Sequence, residues 1–193
     1  MRAMIALVLS CLVFTACADS PELAAIQSPG GVSTVPADPP SPTPEALPDF
    51  KGDKRFAPYV ARFIREGAKQ GRKLSAAAVS IRLSDLEQYG ERTIGVCFRG
   101  CADCPKVLLK DSFWATASEA RKRLLFDHEL GHCVLQRPHR TTLLASGKPA
   151  SIMYPFILDE RTYREDLTRY QRELYTYRLA PAALEGLQID ICE

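Results

Sequence analysis

The chain has 193 residues, a quarter of them charged, with a formal net charge of +2. From Lys51 onward 24 Lys+Arg stand against 18 Asp+Glu, a formal +6. Those basic residues are scattered through helical stretches without aromatic interleaving, which argues for a solvated basic surface and against a nucleic-acid partner.

Met1 and Arg2 precede an apolar run, Ala3 to Ala16. The run is too short to span a bilayer as a helix and has the n- and h-regions of a secretory signal. Thr15 and Ala16, just before Cys17, resemble a bacterial lipobox. That resemblance implies a signal segment over residues 1–17, with Cys17 as the lipidated first residue of the mature protein. An ordinary signal peptide with a chance cysteine is the alternative. Ala18 is not an aspartate, which by the sorting logic of such lipoproteins implies the outer membrane of a bacterial envelope.

Residues 18–49 hold eight of the fourteen prolines, mixed with Ser, Thr, Gly and Ala. Such a stretch buries too little apolar surface to offset its ordering entropy, so it reads as a semi-extended tether. Residues 50–193 then form one domain, expected to be monomeric.

Within the domain, Tyr59, Val60, Phe63 and Ile64 recur at helical spacing over Phe56 to Gln70, and Gly71 is a stop. Ala76 to Leu83 alternates Val79, Ile81 and Leu83 against Ser80 and Arg82, a strand with one buried face. Arg92 to Phe98 reads as a second strand and Lys106 to Phe113 as a third. A long helix is expected over Ala117 to about Gln136, opened by a capping box from Thr116 to Glu119. Leu124, His128, His132 and Leu135 share one face, while Phe126, Leu130, Cys133 and Val134 lie on another. A helix apolar on more than one side is buried between layers. Arg140 to Ala150 is polar and turn-like, and Glu160 to Leu179 reads as a last helix.

Five cysteines fall in the domain: Cys97, Cys101, Cys104, Cys133 and Cys192. In an exported protein disulfides are the default, and an odd number leaves one thiol unmatched. Cys97, Cys101 and Cys104 could instead ligate a metal, though no second ligand pair of matching spacing follows. A Cys133–Cys192 bridge would pin the tail to the core, and a free thiol near the site could block a metal position. The connectivity is not readable from spacing.

All three histidines of the chain lie in HELGHCVLQRPH, residues 128–139. Four helical residues advance about 6 Å and rotate about 400°, so His128 and His132 project from one face a turn apart. Two imidazoles so placed can reach one zinc ion, with Glu129 beside them as a base. Catalytic zinc takes three protein ligands, and His139 is the third candidate. On a continuous helix His139 would lie about 10 Å further along the axis, so the chain must turn first. Pro138 pushes Arg137 out of helical backbone and makes it a boundary. A carboxylate ligand from Glu160 or Glu165 is the competing choice, although neither has an aspartate four residues on. The blandest reading has the histidines merely packing a buried helix.

HExxH, a third histidine and then Ser151-Ile-Met-Tyr-Pro155 resemble the metzincin clan of zinc peptidases, whose pattern is HExxHxxGxxH followed by a Met-turn. Met-Tyr-Pro is also found in the matrixins of that clan. The matching motifs cover roughly Phe126 to Pro155. The resemblance implies an α+β fold, with a small mixed sheet packed on an active-site helix and a C-terminal helix. It also implies one catalytic zinc on His128, His132 and His139, Glu129 as catalytic base, and Met153 as an apolar floor beneath the metal. The family glycine position is Leu135 here and its third histidine position is Pro138. Inserting one residue restores the relation: Gln136 then takes the glycine's place, in left-handed backbone that costs roughly 1 kcal/mol. No Asp- and Gly-rich calcium or structural-zinc loop is present, which suggests a divergent, minimal member. The tyrosine that assists the oxyanion in astacin-like members has no counterpart, since Pro155 holds its position and Tyr154 precedes it.

The expected activity is endopeptidase cleavage of a peptide or protein substrate lying along an edge strand, assigned to Lys106 to Phe113. The alternatives are a peptidase with a glutamate third ligand and a non-catalytic zinc-binding surface lipoprotein. Glu129 argues against the last, because a binding module has no need of a base beside the metal.

Overall fold

The computed structural model describes residues 50–76, 78–100, 105–177 and 189–192, the last four by their backbone alone. The signal segment, Cys17 and the tether lie outside the described residues, as do Cys101 and Cys104. No helix among the described residues is long and apolar enough to cross a membrane.

The domain is α+β. Helix α1 (Ala57–Lys69) leads to strand β1 (Ser80–Ser84), then β2 (Gly95–Phe98) and β3 (Lys106–Lys110). Helices α2 (Asp111–Thr116) and α3 (Glu119–Cys133) follow directly. After a long loop come α4 (Glu160–Glu165), α5 (Leu167–Thr176) and a last strand, β4 (Ile189–Cys192). The sheet is mixed, because β3 pairs in parallel with β1 and antiparallel with β2. Strand β4 joins the far side of β2, antiparallel, giving the order β1-β3-β2-β4.

Helix α1 forms where its apolar spacing predicts and ends at Gln70, with Gly71 at φ 74 turning the chain. The alternation holds at Val79, just before β1, and at Ile81, both buried, against exposed Arg82, while Leu83 is only partly buried. Four expectations need correction. Strand β3 stops at Lys110, where α2 begins at Asp111, so Phe113 is helical. It is also flanked by strands on both sides, so it is no edge for a substrate. Helix α3 is capped by Ser118, whose Oγ accepts from the Arg121 amide at 3.3 Å, whereas Thr116 closes α2 and donates to the Ser112 carbonyl. Glu119 is taken up by the Tyr59 hydroxyl at 2.8 Å and so does not serve in a capping box. The last helix breaks at Asp166 into α4 and α5, and α5 ends at Thr176.

Helix α3 lies between the sheet and helices α1 and α4, and from Arg123 to Cys133 every residue is buried. Leu124, Leu125, Phe126 and Leu130 are each at most 1% exposed, worth roughly 1.5–3 kcal/mol apiece in transfer free energy. An aromatic cluster of Phe56, Tyr59, Trp114 and Phe126 joins α1, α2 and α3, with neighbouring rings 5.0 to 6.4 Å apart. Arg62 of α1 and Asp127 of α3 form a buried two-pronged ion pair between the helices. Burial raises the Asp127 carboxyl, and the Arg62 guanidinium opposes that shift. On the sheet side, Cys97 of β2 is bonded to Cys133 at the end of α3, with Cα atoms 5.8 Å apart. That pairing replaces the Cys133–Cys192 bridge and removes Cys97 from any cysteine metal site.

Candidate metal centre

Helix α3 carries His128 and His132 a turn apart, and its C-terminal end decides where His139 goes. The helix stops at Cys133, three residues before the sequence-based limit and four before Arg137. The Arg137 amide donates to the Gly131 carbonyl at 3.0 Å and closes the turn. Gln136 stands at φ 54, the one described residue other than glycine in left-handed backbone. This is the position assigned to the missing family glycine. The reversal returns the chain toward α3 and brings His139 beside the other two histidines.

His132 meets His128 and His139 edge to face and the His128 and His139 rings are tilted, with centroids 4.7 to 5.4 Å apart. His132 Nε2 lies 2.9 Å from His128 Nε2, which is 3.4 Å from His139 Nε2. Ligand atoms of all three fall within 4.8 Å of one another, and among the described residues this is the cluster that could hold a metal ion.

Their protonation follows from their partners. His128 Nδ1 is 2.7 Å from the Ile152 carbonyl and His132 Nδ1 is 2.6 Å from the Arg137 carbonyl. A carbonyl only accepts, so each Nδ1 carries the proton and donates it, and each Nε2 keeps its lone pair. Burial pushes His128 down to about 3, against the pull of the Ile152 carbonyl and with His139 adding to the fall. Burial, together with His128 and His139, holds His132 well below the usual range, and burial lowers His139 too. Neutral rings with lone pairs aimed at one another repel across 2.9 Å unless a cation sits among them. Tetrahedral bonds of 2.0–2.1 Å would place ligand nitrogens about 3.3 Å apart, close to the spacing here. The donor set of three neutral imidazoles, two of them oriented by backbone carbonyls, fits zinc.

Glu129 is fully buried beside this cluster, against β2. A Cβ on Gly95 would come within 2.0 Å of Glu129 Oε1 and 3.0 Å of Leu125, so glycine makes the space in which the carboxylate lies. Met153 packs beneath the histidine helix. A Cβ on Gly131, between the two helical histidines, would meet its sulfur at 2.5 Å. Met153 is wholly buried, its amide donates to Ser151 Oγ at 3.0 Å, and its carbonyl accepts from the Arg140 amide at 2.7 Å.

Other candidates lie elsewhere. Glu160 accepts from Ser118 Oγ and Arg164, and Glu165 pairs with Lys148 and Arg161, so neither converges with the histidines. The Tyr154 ring lies 6.2 Å from that of Phe156, tilted against it. Sequence reasoning missed Gly95, Arg137, Ser151 and Glu173. Gly95 had a signal, because an isolated glycine within a strand marks a close approach. The carbonyls of Ile152 and Arg137 carry no side-chain signature at all.

Comparison with known protein families, with curated proteins and with solved structures finds no match to this chain.

Proposed function

We propose that the chain is a zinc endopeptidase of the metzincin kind, tethered to a bacterial envelope through lipidated Cys17 and a proline-rich linker. The observation that carries this reading is the convergence of His128, His132 and His139, with Glu129 on the same helix. Beneath them, Met153 fits the role of the metzincin Met-turn methionine.

His128, His132 and His139 would hold the zinc, which when bound would supply Lewis-acid chemistry toward a peptide carbonyl and a water. Glu129 takes the proton of the attacking water and hands it to the departing amine. Glu129 is fully buried on the helix that carries His128 and His132, so its carboxylate is held close to them. Burial keeps His128 and His132 neutral, while their carbonyl partners hold the ring proton on Nδ1, so neither competes for the proton that Glu129 takes. The peptide nitrogen leaves as an amine and the carbonyl carbon as a carboxylate, so the hydrolysis balances with one water.

The test is cleavage of a diverse peptide library by the zinc-loaded chain, with and without chelator, beside Glu129→Ala. Cleavage that vanishes with chelator and in the variant supports the proposal. Stoichiometric zinc without cleavage of any peptide favours a zinc-binding surface lipoprotein instead.

A further inference from the structure

We infer that Glu173, on α5 and remote in sequence from the histidine motif, is a positioning residue that sets the geometry of the metal centre through a buried clamp. The inference rests on the zinc reading of that centre.

The clamp begins with Arg137, a charged side chain left 1% exposed. Its Nη2 donates to Glu173 Oε1 at 2.5 Å and its Nη1 to Oε2 at 3.2 Å. Nη1 also reaches the Leu174 carbonyl at 3.1 Å and the Glu173 carbonyl at 3.2 Å. The same carboxylate accepts from Arg140 Nη1 at 3.2 Å and from Ser151 Oγ at 2.8 Å.

Each of these partners is tied to one part of the centre. The Arg137 carbonyl receives the His132 Nδ1 proton. Arg140 is the neighbour of His139, and its amide donates to the Met153 carbonyl. Ser151 Oγ accepts from the Met153 amide, one residue before the Ile152 carbonyl that holds His128. One carboxylate therefore links the supports of both helical histidines, the loop of the third, and the methionine turn.

The physical need for such a link lies in the chain itself. Residues 134–159 have no regular helix, and their pairing is confined to the Leu143–Pro149 bridge. Something rigid must hold two of their segments in register with α3. Helix α5 is anchored in the core by Tyr170, Leu174 and Tyr175, each at most 1% exposed. A planar guanidinium against a carboxylate fixes direction as well as distance, which a lysine ammonium would not. Partners that orient metal-binding histidines typically change metal affinity ten- to a hundredfold when lost.

The experiment compares the full chain with Glu173→Gln, Arg137→Lys and Arg140→Ala. Zinc dissociation constants are measured by chelator competition, and visible spectra are recorded with cobalt in place of zinc. Near-ultraviolet dichroism and metal-free thermal melting report folding. Arg140 is partly exposed, so its variant keeps the test alive if the two buried changes fail to fold. We expect folded Glu173→Gln and Arg137→Lys to bind zinc about ten- to a hundredfold more weakly. Their cobalt spectra should shift, and Arg140→Ala should show a smaller loss in the same direction. Folded variants with wild-type affinity and spectrum overturn the clamp alone. A wild-type chain that takes up no metal overturns the centre and the clamp together.

Discussion

His132 donates its Nδ1 proton to the carbonyl of Arg137, 2.6 Å away and five residues further along the chain. The two can meet because the chain reverses at Gln136, which stands at φ 54. His132 thus makes its Nδ1 contact on the turn that delivers the third histidine. Backbone strain and metal geometry are joined at that residue.

Replacing Gln136 tests the strain directly. Gln136→Gly should leave zinc binding intact and stabilise the metal-free chain by up to about 1 kcal/mol, since glycine enters left-handed backbone without a Cβ clash. Gln136→Val should destabilise by about 1–2 kcal/mol and lower zinc content, because a β-branched residue resists that conformation. Urea unfolding of both variants gives the answer, and equal stability would refute the strain.

His139→Ala should leave a chain that loses its zinc on dialysis, with little change in metal-free stability because His139 is the least buried of the three. Two imidazoles alone fall short of a zinc site. Elemental analysis after dialysis decides it, and full zinc occupancy would exclude His139 as a ligand.

Gly95→Ala should separate metal binding from activity. The added methyl reaches the space of Glu129 Oε1, so the carboxylate must move or the strand must shift. We expect retained zinc, a stability loss of about 1–3 kcal/mol, and peptide cleavage reduced toward the Glu129→Ala level. Unaltered cleavage would show that the Glu129 position has slack.

The metal-free chain should weaken in acid. His128 has a folded pKa of about 3 against 6.5 unfolded, so between those values the unfolded chain binds more protons and stability rises with pH. The contribution is fully present above 6.5 and is lost as pH falls toward 3. For His128 alone the loss at pH 5 is about 2 kcal/mol, and the lowered His132 and His139 act in the same direction. Melting temperatures of the chelated chain should be flat above neutrality and fall steadily below it. A curve level down to pH 5 contradicts this.

Peptide mapping without reduction should recover Cys97 joined to Cys133. The bond closes 36 residues of sequence separation, worth about 3–4 kcal/mol in loop-closure entropy. Cys97→Ser should therefore lower stability by about that amount. Recovery of Cys133 joined to Cys192 would contradict the pairing.

What the sequence by itself determined is local. HExxH places two imidazoles a turn apart because helical geometry repeats, and Pro138 together with the displaced histidine demanded a reversal before His139. The left-handed residue at Gln136 was reached through the metzincin resemblance, whose glycine falls three residues before the third histidine. Burial of the helix from Arg123 to Cys133 followed from apolar residues on more than one side of it. The errors at Thr116 and at Asp111 to Phe113 were also local, where two helices abut and either Thr116 or Ser118 could cap the second.

Tertiary structure alone decided the rest. Cys133 could have paired with any of four cysteines, and packing of α3 on β2 chose Cys97. The third strand was expected at an edge, but parallel pairing with β1 and antiparallel pairing with β2 enclose it. Nothing in the sequence set Glu173 apart until the fold carried it 36 residues back to Arg137. Each of these depends on which distant segments meet. Periodicity and spacing describe a chain's relation to its near neighbours, while partners far along the sequence are selected by the packing of the whole core.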